Sequence, residues 1–210
     1  MTELQITFLE KLKKSVVRLW INDEPAFRLT LSELEECGLK TGDVLDAEHL
    51  AHLHTRILIP KARNRCLDLL AAGDKTRSML AKKLRSEDFP EDVVEDALSY
   101  AKSFHYLDDL RFAVNYIERN RDGKSRMEMT QKLRLSGVDE EQIAEAFSEA
   151  ELPDPMEQIR MHARRRHFDP SDADDRERDR FLRFLMRKGY SYGDIRHALE
   201  GMIYEKTGVE

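Results

Sequence analysis

The most regular feature of this chain is a template of five apolar positions that recurs three times. The copies are Leu84, Phe89, Val94, Ala97 and Leu98; Leu133, Val138, Ile143, Ala146 and Phe147; and Leu185, Tyr190, Ile195, Ala198 and Leu199. Each has steps of five, five, three and one, and the copies are shifted by 49 (84 to 133) and 52 (133 to 185) residues. Repeats of roughly 20–50 residues mark arrays whose units bury their apolar faces on one another. Such arrays form extended binding surfaces, so we expect a binding protein.

Residues 60–210 are predicted to be helical nearly throughout, with three helices in each copy. Gly73, the pair Asp122 and Gly123, and residues 153–155 with two prolines interrupt runs of helical periodicity. We therefore predict a mainly α fold of three tandem three-helix repeats, helix-turn-helix-like in their connections. Their predicted bounds are 60–107, 108–152 and 153–210. We expect the repeats to form an elongated, curved array.

Residues 1–59 predict a small N-terminal module with a β-hairpin and short helices. The β-favouring run Val16–Ile21 and the alternating run 27–31 flank turn-forming residues 22–25. Ser32, with Glu35 three residues on, is the predicted N-cap of a short helix that Gly38 ends. Asp46 is predicted to cap a second helix, which should end before Pro60.

Composition is typical of a solvated helical protein. Of the 210 residues, 36% are charged and 40% are hydrophobic, which suffices for one large or two small domains with cores. No apolar run approaches the ~20 residues that span a bilayer, and the N-terminus lacks the apolar stretch of a signal peptide. The two cysteines, Cys37 and Cys66, provide no disulfide framework. We expect a monomer in a reduced, cytoplasmic compartment.

Basic residues cluster near the start of the second helix of each predicted repeat, although the net charge is −6. Cations at a helix start oppose the helix dipole, which favours anions there. A phosphate partner would explain the recurrence, and a solvated surface is the simpler alternative for any one cluster. The candidate polyanion-binding residues are Arg63, Arg65, Lys75, Arg77, Lys82, Lys83, Lys124, Arg126, Lys132, Arg134, Arg164, Arg165, Arg166, Arg176, Arg180, Arg183, Arg187 and Lys188.

No pattern of residues predicts catalysis or metal binding. P-loop, Gly-x-Ser-x-Gly, His-Glu-x-x-His and dinucleotide fingerprints are missing from the sequence. His49, His52 and His54 are close in sequence, but no further ligand with suitable spacing accompanies them. Asp108 and Asp109 are better explained as helix-capping residues than as an acid–base pair, because adjacent side chains point apart. We expect no enzymatic activity, no metal and no cofactor.

The connections around Gly137 and Gly189 also resemble a helix-turn-helix, which could dock a recognition helix in a DNA groove. Any stacked helical array needs such tight hairpins. Glu140, Glu141 and Glu145 would also repel phosphates there, so sequence-specific DNA reading is the weaker interpretation.

One segment between the first two repeats reads Tyr106, Leu107, Asp108, Asp109, any residue, Arg111, Phe112 and Ala113. It is similar to the characteristic junction of the bacterial RecX family, regulators of the RecA recombinase. Arg77, Ser78, Leu80, Lys83 and Leu84 resemble the family's first unit; Arg119, Gly123, Lys124, Ser125, Arg126, Leu133, Gly137 and Val138 resemble its second. The resemblance covers about residues 60–205, and the N-terminal module resembles an extension seen in some members. His105 departs from the glycine usual before the Tyr, and the third repeat has a longer, more acidic loop.

The resemblance implies a regulator that binds RecA and lies along the groove of the RecA–DNA filament. It would modulate filament assembly, strand exchange and ATP hydrolysis in DNA repair, recombination and the SOS response. The candidate basic residues would contact the phosphates of single- or double-stranded DNA or an acidic filament face, and the junction residues would be structural. The alternative function is sequence-independent DNA binding without a recombinase partner.

Overall fold

A computed structural model of the chain describes residues 3–208. The chain divides between Asp108 and Asp109 into two compact units. The first contains a four-stranded sheet and one three-helix repeat, and the second contains two further repeats. The predicted fold class, mainly α with three tandem three-helix repeats behind a small strand-containing module, is confirmed. Within residues 3–208, no helix combines the length and apolarity needed to cross a membrane.

The sheet of the first unit is antiparallel, with strand order β3-β2-β1-β4. Its strands are β1 (Leu4–Lys13), β2 (Val16–Ile21), β3 (Glu24–Thr30) and β4 (Val44–Leu45). The predicted hairpin is β2–β3, where Asn22 and Asp23 have φ of 50° and 64°, as a two-residue type I′ turn requires. Strands β1 and β4 lie outside that prediction. Irregular register near Phe8 and Lys11 interrupts the alternation that would have revealed β1.

Helix α1 (Leu31–Glu36) is capped by Thr30, so the prediction of Ser32 as its N-cap is wrong. The Thr30 hydroxyl accepts a hydrogen bond from the Glu33 N–H (3.2 Å), and the Glu33 carboxylate accepts one from the Thr30 N–H (2.6 Å). Thr-x-x-Glu and Ser-x-x-Glu are both capping-box patterns. Strand β3 ends at Thr30, whose backbone is extended, so Thr30 rather than Ser32 is the N-cap residue.

The second predicted helix does not end before Pro60. Helix α2 (Ala47–His52), capped by Asp46 as predicted, passes into a π-helical turn (Leu53–Leu58) and then into α3 (Ile59–Ala71). Pro60 lies in the first turn of α3, where a missing N–H is tolerated. The helical path is therefore continuous where the sequence suggested a stop.

The N-terminal module and repeat 1 share one core. Repeat 1 consists of α3, α4 (Arg77–Ser86) and α5 (Glu91–Ser103). Leu19 and Leu29 of the sheet and Leu53 of the π-helical turn belong to the same buried cluster as Leu84 and Leu98 of the repeat. The sheet therefore buries its apolar face on the first repeat.

The second unit has one core for each of its repeats. Repeat 2 comprises α6 (Asp109–Asn120), α7 (Arg126–Leu135) and α8 (Glu140–Glu149); repeat 3 comprises α9 (Pro155–Arg165), α10 (Asp175–Lys188) and α11 (Tyr192–Thr207). Short polar side chains cap the helix starts and satisfy free backbone N–H groups. They include Ser125, Asp139, Asp174 and Ser191.

The five-residue first step of the apolar template is a helix-ending turn. The N–H of the second template residue donates to the carbonyl of the first: Phe89 to Leu84 (3.3 Å), Val138 to Leu133 (3.1 Å) and Tyr190 to Leu185 (3.2 Å). The preceding residue is left-handed in every copy, with φ of 59° at Asp88, 82° at Gly137 and 93° at Gly189. These are features of the Schellman motif. Every template residue is buried except Phe89 and Leu199, which are partly buried against the cores.

Candidate functional site

Most candidate basic residues of repeat 1 are held by carboxylates of the same repeat. Arg63 donates two hydrogen bonds to Asp96 (2.6 and 2.9 Å), and Arg65 donates two to Glu87 (2.9 and 2.7 Å). The bonds from Arg65 lower the pKa of Glu87, against the opposing effect of burial. Arg77 pairs with Glu95, and Lys83 with Glu87 (3.0 Å). Lys75 donates to the carbonyl of Gly73 (3.3 Å), and Lys82 is exposed. These arginines link helices of the repeat.

The basic residues of repeat 2 are mostly placed on aromatic rings or acids. Lys124 donates to the Tyr116 hydroxyl (2.7 Å), and the Arg126 guanidinium lies 4.3 Å from the centre of the Phe147 ring. Arg134 forms a two-bond ion pair with Glu140. Lys132 is exposed. This repeat offers isolated cations rather than a continuous basic surface.

Repeat 3 brings four exposed arginines onto one side of α10. Arg176, Arg180, Arg183 and Arg187 follow one another at steps of four, three and four residues, which places them along one helix face. Together with Asp179 they line a groove of about 370 Å³. Arg183 Nη2 lies 3.6 Å from Asp179, and both side chains are largely exposed. We call these four residues the arginine stripe.

The three consecutive arginines at the end of α9 do not act together. Arg164 lines a separate shallow pocket beside Lys206 and Glu205, and Arg165 is exposed. Arg166 turns the other way and lies 3.7 Å over the Phe184 ring. A run of like charges in the sequence is therefore distributed over different surfaces of repeat 3.

Beside the stripe is a cavity of about 590 Å³ with an aromatic wall, which we call the aromatic cavity. Phe168 stacks on Phe181 with ring centres 4.1 Å apart, and Phe184 adjoins Phe181. None of these rings, nor the neighbouring His167, is among the residues predicted from the sequence. Basic and aromatic side chains alternate in the segment Arg180, Phe181, Leu182, Arg183, Phe184. That alternation was the signal in the sequence that could have pointed to the cavity.

Lys188 follows the stripe in sequence but is turned toward repeat 2. Its Nζ lies 2.9 and 3.1 Å from the two carboxylate oxygens of Glu128. Burial alone would raise the pKa of Glu128, but hydrogen bonds from Lys188 and from the backbone of Ser125 outweigh it and lower the pKa. Lys188 is thus part of the joint between α10 and α7 and not of the stripe.

The junction residues lie at the end of repeat 1 and the start of repeat 2. Leu107 is buried, whereas Tyr106 is exposed and lies beside Phe104, with ring centres 6.1 Å apart. Helix α6 begins at Asp109, with Arg111 in its first turn and Phe112 packed against the repeat 2 core. His105 has φ of 58°, a conformation that explains a glycine preference at this position.

The three clustered histidines have separate surroundings. His49 Nδ1 lies 2.8 Å from Asp46, and His54 Nε2 lies 2.6 Å from Asp92. Across residues 3–208, no group of three or more His, Cys, Asp or Glu side chains is arranged to hold a metal ion.

The fold and this surface define a helical-repeat protein with an arginine-lined face, and family comparisons identify the same three repeats. Models of the RecX three-helix domains match residues 62–100 (first domain), 108–146 (second) and 154–199 (third). The regulatory protein RecX of Mycobacterium ulcerans is 34% identical over 137 residues, covering 62% of this chain and 78% of that protein. The protein of the same name from Bacillus licheniformis is 26% identical over 199 residues, covering 93% and 76%. The chain belongs to the RecX family of regulatory proteins.

Solved structures show the same fold. A crystal structure of regulatory protein RecX matches with a TM-score of 0.59 and 25% identity, covering 92% of this chain and 99% of that chain. RecX from Lactobacillus salivarius matches with a TM-score of 0.57 and 21% identity, covering 69% and 96%.

Proposed function

We propose that this protein regulates the RecA recombinase by binding the RecA–DNA filament, with the arginine stripe of repeat 3 contacting the DNA phosphates. Membership of the RecX family supports a regulatory role. The observation that carries the proposed contact is the row of exposed arginines on α10. Among the residues that the structure describes, Asp179 is the one acid that lines the same groove.

The stripe is a better phosphate site than the other basic clusters because its cations are accessible. A phosphate approaching Arg63 or Arg65 would have to displace a two-bond carboxylate partner. The stripe arginines are spaced about 4.5–6 Å apart along the helix axis, from the rise of 1.5 Å per residue. Guanidinium groups bind phosphate oxygens through paired hydrogen bonds. A row of four can therefore follow a nucleic-acid backbone without reading its bases.

The salt dependence of DNA binding tests the contact. We would replace Arg176, Arg180, Arg183 and Arg187 together by Gln, and compare a control in which Lys11, Lys13, Lys14 and Lys40 become Gln. The control removes the same charge from exposed positions of the first unit. Each lost phosphate contact should reduce the slope of log K against log salt by about 0.7–0.9. We expect a reduction of about 3 in the stripe variant and little change in the control. If the stripe variant and the wild type had equal slopes, the stripe would not be the phosphate-binding site.

The regulatory part is tested on preassembled recombinase–DNA filaments. The wild-type protein and the lysine control should change the rate of ATP turnover at similar concentrations, and the stripe variant should need a far higher concentration. The same titrations compare affinity for filaments with affinity for bare DNA. Tighter binding to bare DNA, with no change in ATP turnover, would favour a DNA-binding protein that acts without a recombinase.

A further inference from the structure

We propose that the aromatic cavity of repeat 3 takes up one unpaired base of a single-stranded nucleic acid whose phosphates lie on the arginine stripe. This inference rests on the proposed function, because it extends the phosphate contact into the neighbouring cavity. The two sites are continuous: Arg180 and Arg187 line both the groove of the stripe and the aromatic cavity. A strand lying on the stripe would therefore pass the mouth of the cavity.

The cavity offers flat surfaces on which a base can stack. The Arg166 guanidinium lies against one face of the Phe184 ring, 3.7 Å from its centre. The opposite face of the guanidinium is therefore turned away from the ring. Aromatic rings and guanidinium planes are the usual stacking partners of unpaired bases. Phe168, stacked on Phe181, and the exposed ring of His167 complete the wall. The volume of about 590 Å³ leaves room for one base.

Backbone geometry also marks this place. His167 has a φ of 52°, a left-handed conformation that is costly for a residue with a side chain. The turn is closed by hydrogen bonds from the His167 N–H to Arg164 (3.1 Å) and from the Phe168 N–H to Ala163 (2.9 Å). This turn ends α9 and places Arg166, His167 and Phe168 in succession along the cavity wall.

The charges of the cavity decide which part of a nucleotide enters. Asp169, Asp172 and Glu177 line it beside the three arginines already named, so the acids and bases of the lining balance and a phosphate is attracted less strongly there than by the stripe. A carboxylate can instead accept a hydrogen bond from the exocyclic amino group of a base. Lys206 Nζ lies 2.7 Å from one oxygen of Asp169 and 2.7 Å from one of Asp172, which fixes both acids in position. The base of the nucleotide therefore enters the cavity, and the phosphates of the strand stay on the arginine stripe.

Two consequences follow for the choice of nucleic acid. Paired bases are stacked in the helix and cannot enter a side cavity, so a single strand should bind more tightly than a duplex. Cytosine has an exocyclic amino donor, and thymine has a carbonyl oxygen in its place. Acids at the cavity wall should therefore favour cytosine strands over thymine strands. Both are pyrimidines, so their intrinsic stacking is similar.

The test measures binding of the full chain to oligo-dC, oligo-dT and a duplex of equal length at one salt concentration. The variants are Arg166→Gln, Asp172→Ala and, as a charge-matched control, Arg196→Gln, an exposed arginine of α11 outside both sites. We expect the wild type to prefer dC over dT by about fivefold or more. Arg166→Gln should weaken binding of both strands, Asp172→Ala should abolish the preference for dC, and Arg196→Gln should retain it.

The outcomes separate this inference from the proposed function. Equal affinity for dC and dT, tighter binding of the duplex, or an Arg166→Gln variant that behaves like Arg196→Gln would overturn the base site. If the stripe variant still loses DNA affinity in those cases, phosphate binding by repeat 3 stands. If the wild type binds no nucleic acid and leaves recombinase filaments unchanged, both proposals fall. Unfolding curves for each variant check that altered binding does not come from altered folding.

Discussion

The Lys188 ammonium lies 2.9 Å from Oε1 of Glu128 and joins the last residue of α10 to the first turn of α7. Glu128 has a second role there, because its carboxylate also accepts a hydrogen bond from the Ser125 N–H (3.0 Å) in a capping box. The Ser125 hydroxyl in turn donates to the backbone carbonyl of Lys188. One acidic residue therefore caps a helix of repeat 2 and holds the end of a helix of repeat 3.

Replacing Glu128 by Gln separates these roles. Glutamine can keep the capping box but removes the countercharge of the mostly buried Lys188. We expect the free energy of unfolding to fall by about 1–3 kcal/mol, measured by urea denaturation near pH 7. The companion variant Lys188→Met should cost a similar amount, and the double variant less than the sum. Additive losses would show that the two side chains do not interact.

The same pair predicts a pH dependence. Glu128 has a lowered pKa in the folded state, so its contribution is present above the unfolded pKa of about 4.3. It is lost as the pH falls through the folded value. Below about pH 4.5 the stability of the wild type should therefore decline more steeply than that of Glu128→Gln. If the stability of the wild type and of Glu128→Gln fell equally with pH, the lowered pKa would not belong to Glu128.

Gly189 is packed too closely against repeat 2 to accept a side chain. A Cβ placed there would lie 2.7 Å from the Cβ of Met127, and its φ is 93°. We expect Gly189→Ala to cost about 2–4 kcal/mol, combining left-handed strain of about 1 kcal/mol with overpacking of about 1–3 kcal/mol. Gly137→Ala, at the equivalent exposed turn with φ of 82°, is the matched control and should cost only about 1 kcal/mol. Thermal or urea unfolding measures both, and equal costs would contradict the close contact.

The helices of the repeats could be predicted because local signals and tertiary packing agree in them. The template spacing encodes the Schellman turn, and α6 ends at Asn120, just before the interruption predicted at Asp122 and Gly123. The π-helical turn before α3 has no comparable signal, because Pro60 reads locally as a stop. Strand β1 was missed because its register with the neighbouring strand β2 is irregular, and because its other partner, β4, is distant in sequence.

The candidate site was only partly visible in the sequence for a different reason. Arg63 and Asp96 are 33 residues apart, so nothing local distinguishes a paired arginine from a free one. The stripe on α10 was foreseeable because its spacing is helical. The aromatic cavity was foreseeable only on its α10 side, where basic and aromatic residues alternate, since Phe168 joins Phe184 through Phe181 only once α9 and α10 have packed.

Asp88 occupies in repeat 1 the left-handed turn position that glycine holds in the other two repeats. Its carboxylate accepts hydrogen bonds from Arg18 (2.6 Å) and Arg28 (2.7 Å), cross-strand neighbours in the sheet. Burial alone would raise the pKa of Asp88, but the bonds from the two arginines outweigh it and lower the pKa. The unfavourable backbone conformation at Asp88 is therefore compensated, because its carboxylate connects the N-terminal module to repeat 1.

Two substitutions at Asp88 distinguish the charge from the turn. Asn tolerates the left-handed region but lacks the charge, so Asp88→Asn should destabilise the protein by about 1–3 kcal/mol. Asp88→Gly loses the same ion pairs but relieves backbone strain of about 1 kcal/mol, so it should be the milder change. Urea unfolding gives both values. A glycine variant less stable than the asparagine variant would show that backbone strain is unimportant there.

His162 is buried in repeat 3, where its Nε2 lies 3.2 Å from the Tyr190 hydroxyl. Burial, helped by the positive charge of Lys188, lowers the pKa of His162. The unfolded chain therefore binds a proton at His162 below about pH 6.5 that the folded protein does not bind. The stability associated with neutral His162 is complete above about pH 6.5 and is lost as the pH falls toward the folded pKa.

Substitution at His162 should therefore change the slope of stability against pH. Between pH 7 and pH 5.5 the free energy of unfolding of the wild type should fall, and His162→Gln, which retains a hydrogen-bonding group for Tyr190, should reduce that slope. His197→Gln, at an exposed position of α11, is the control and should leave the slope unchanged. Urea unfolding at several pH values measures all three proteins. A slope that persists unchanged in His162→Gln would contradict this assignment.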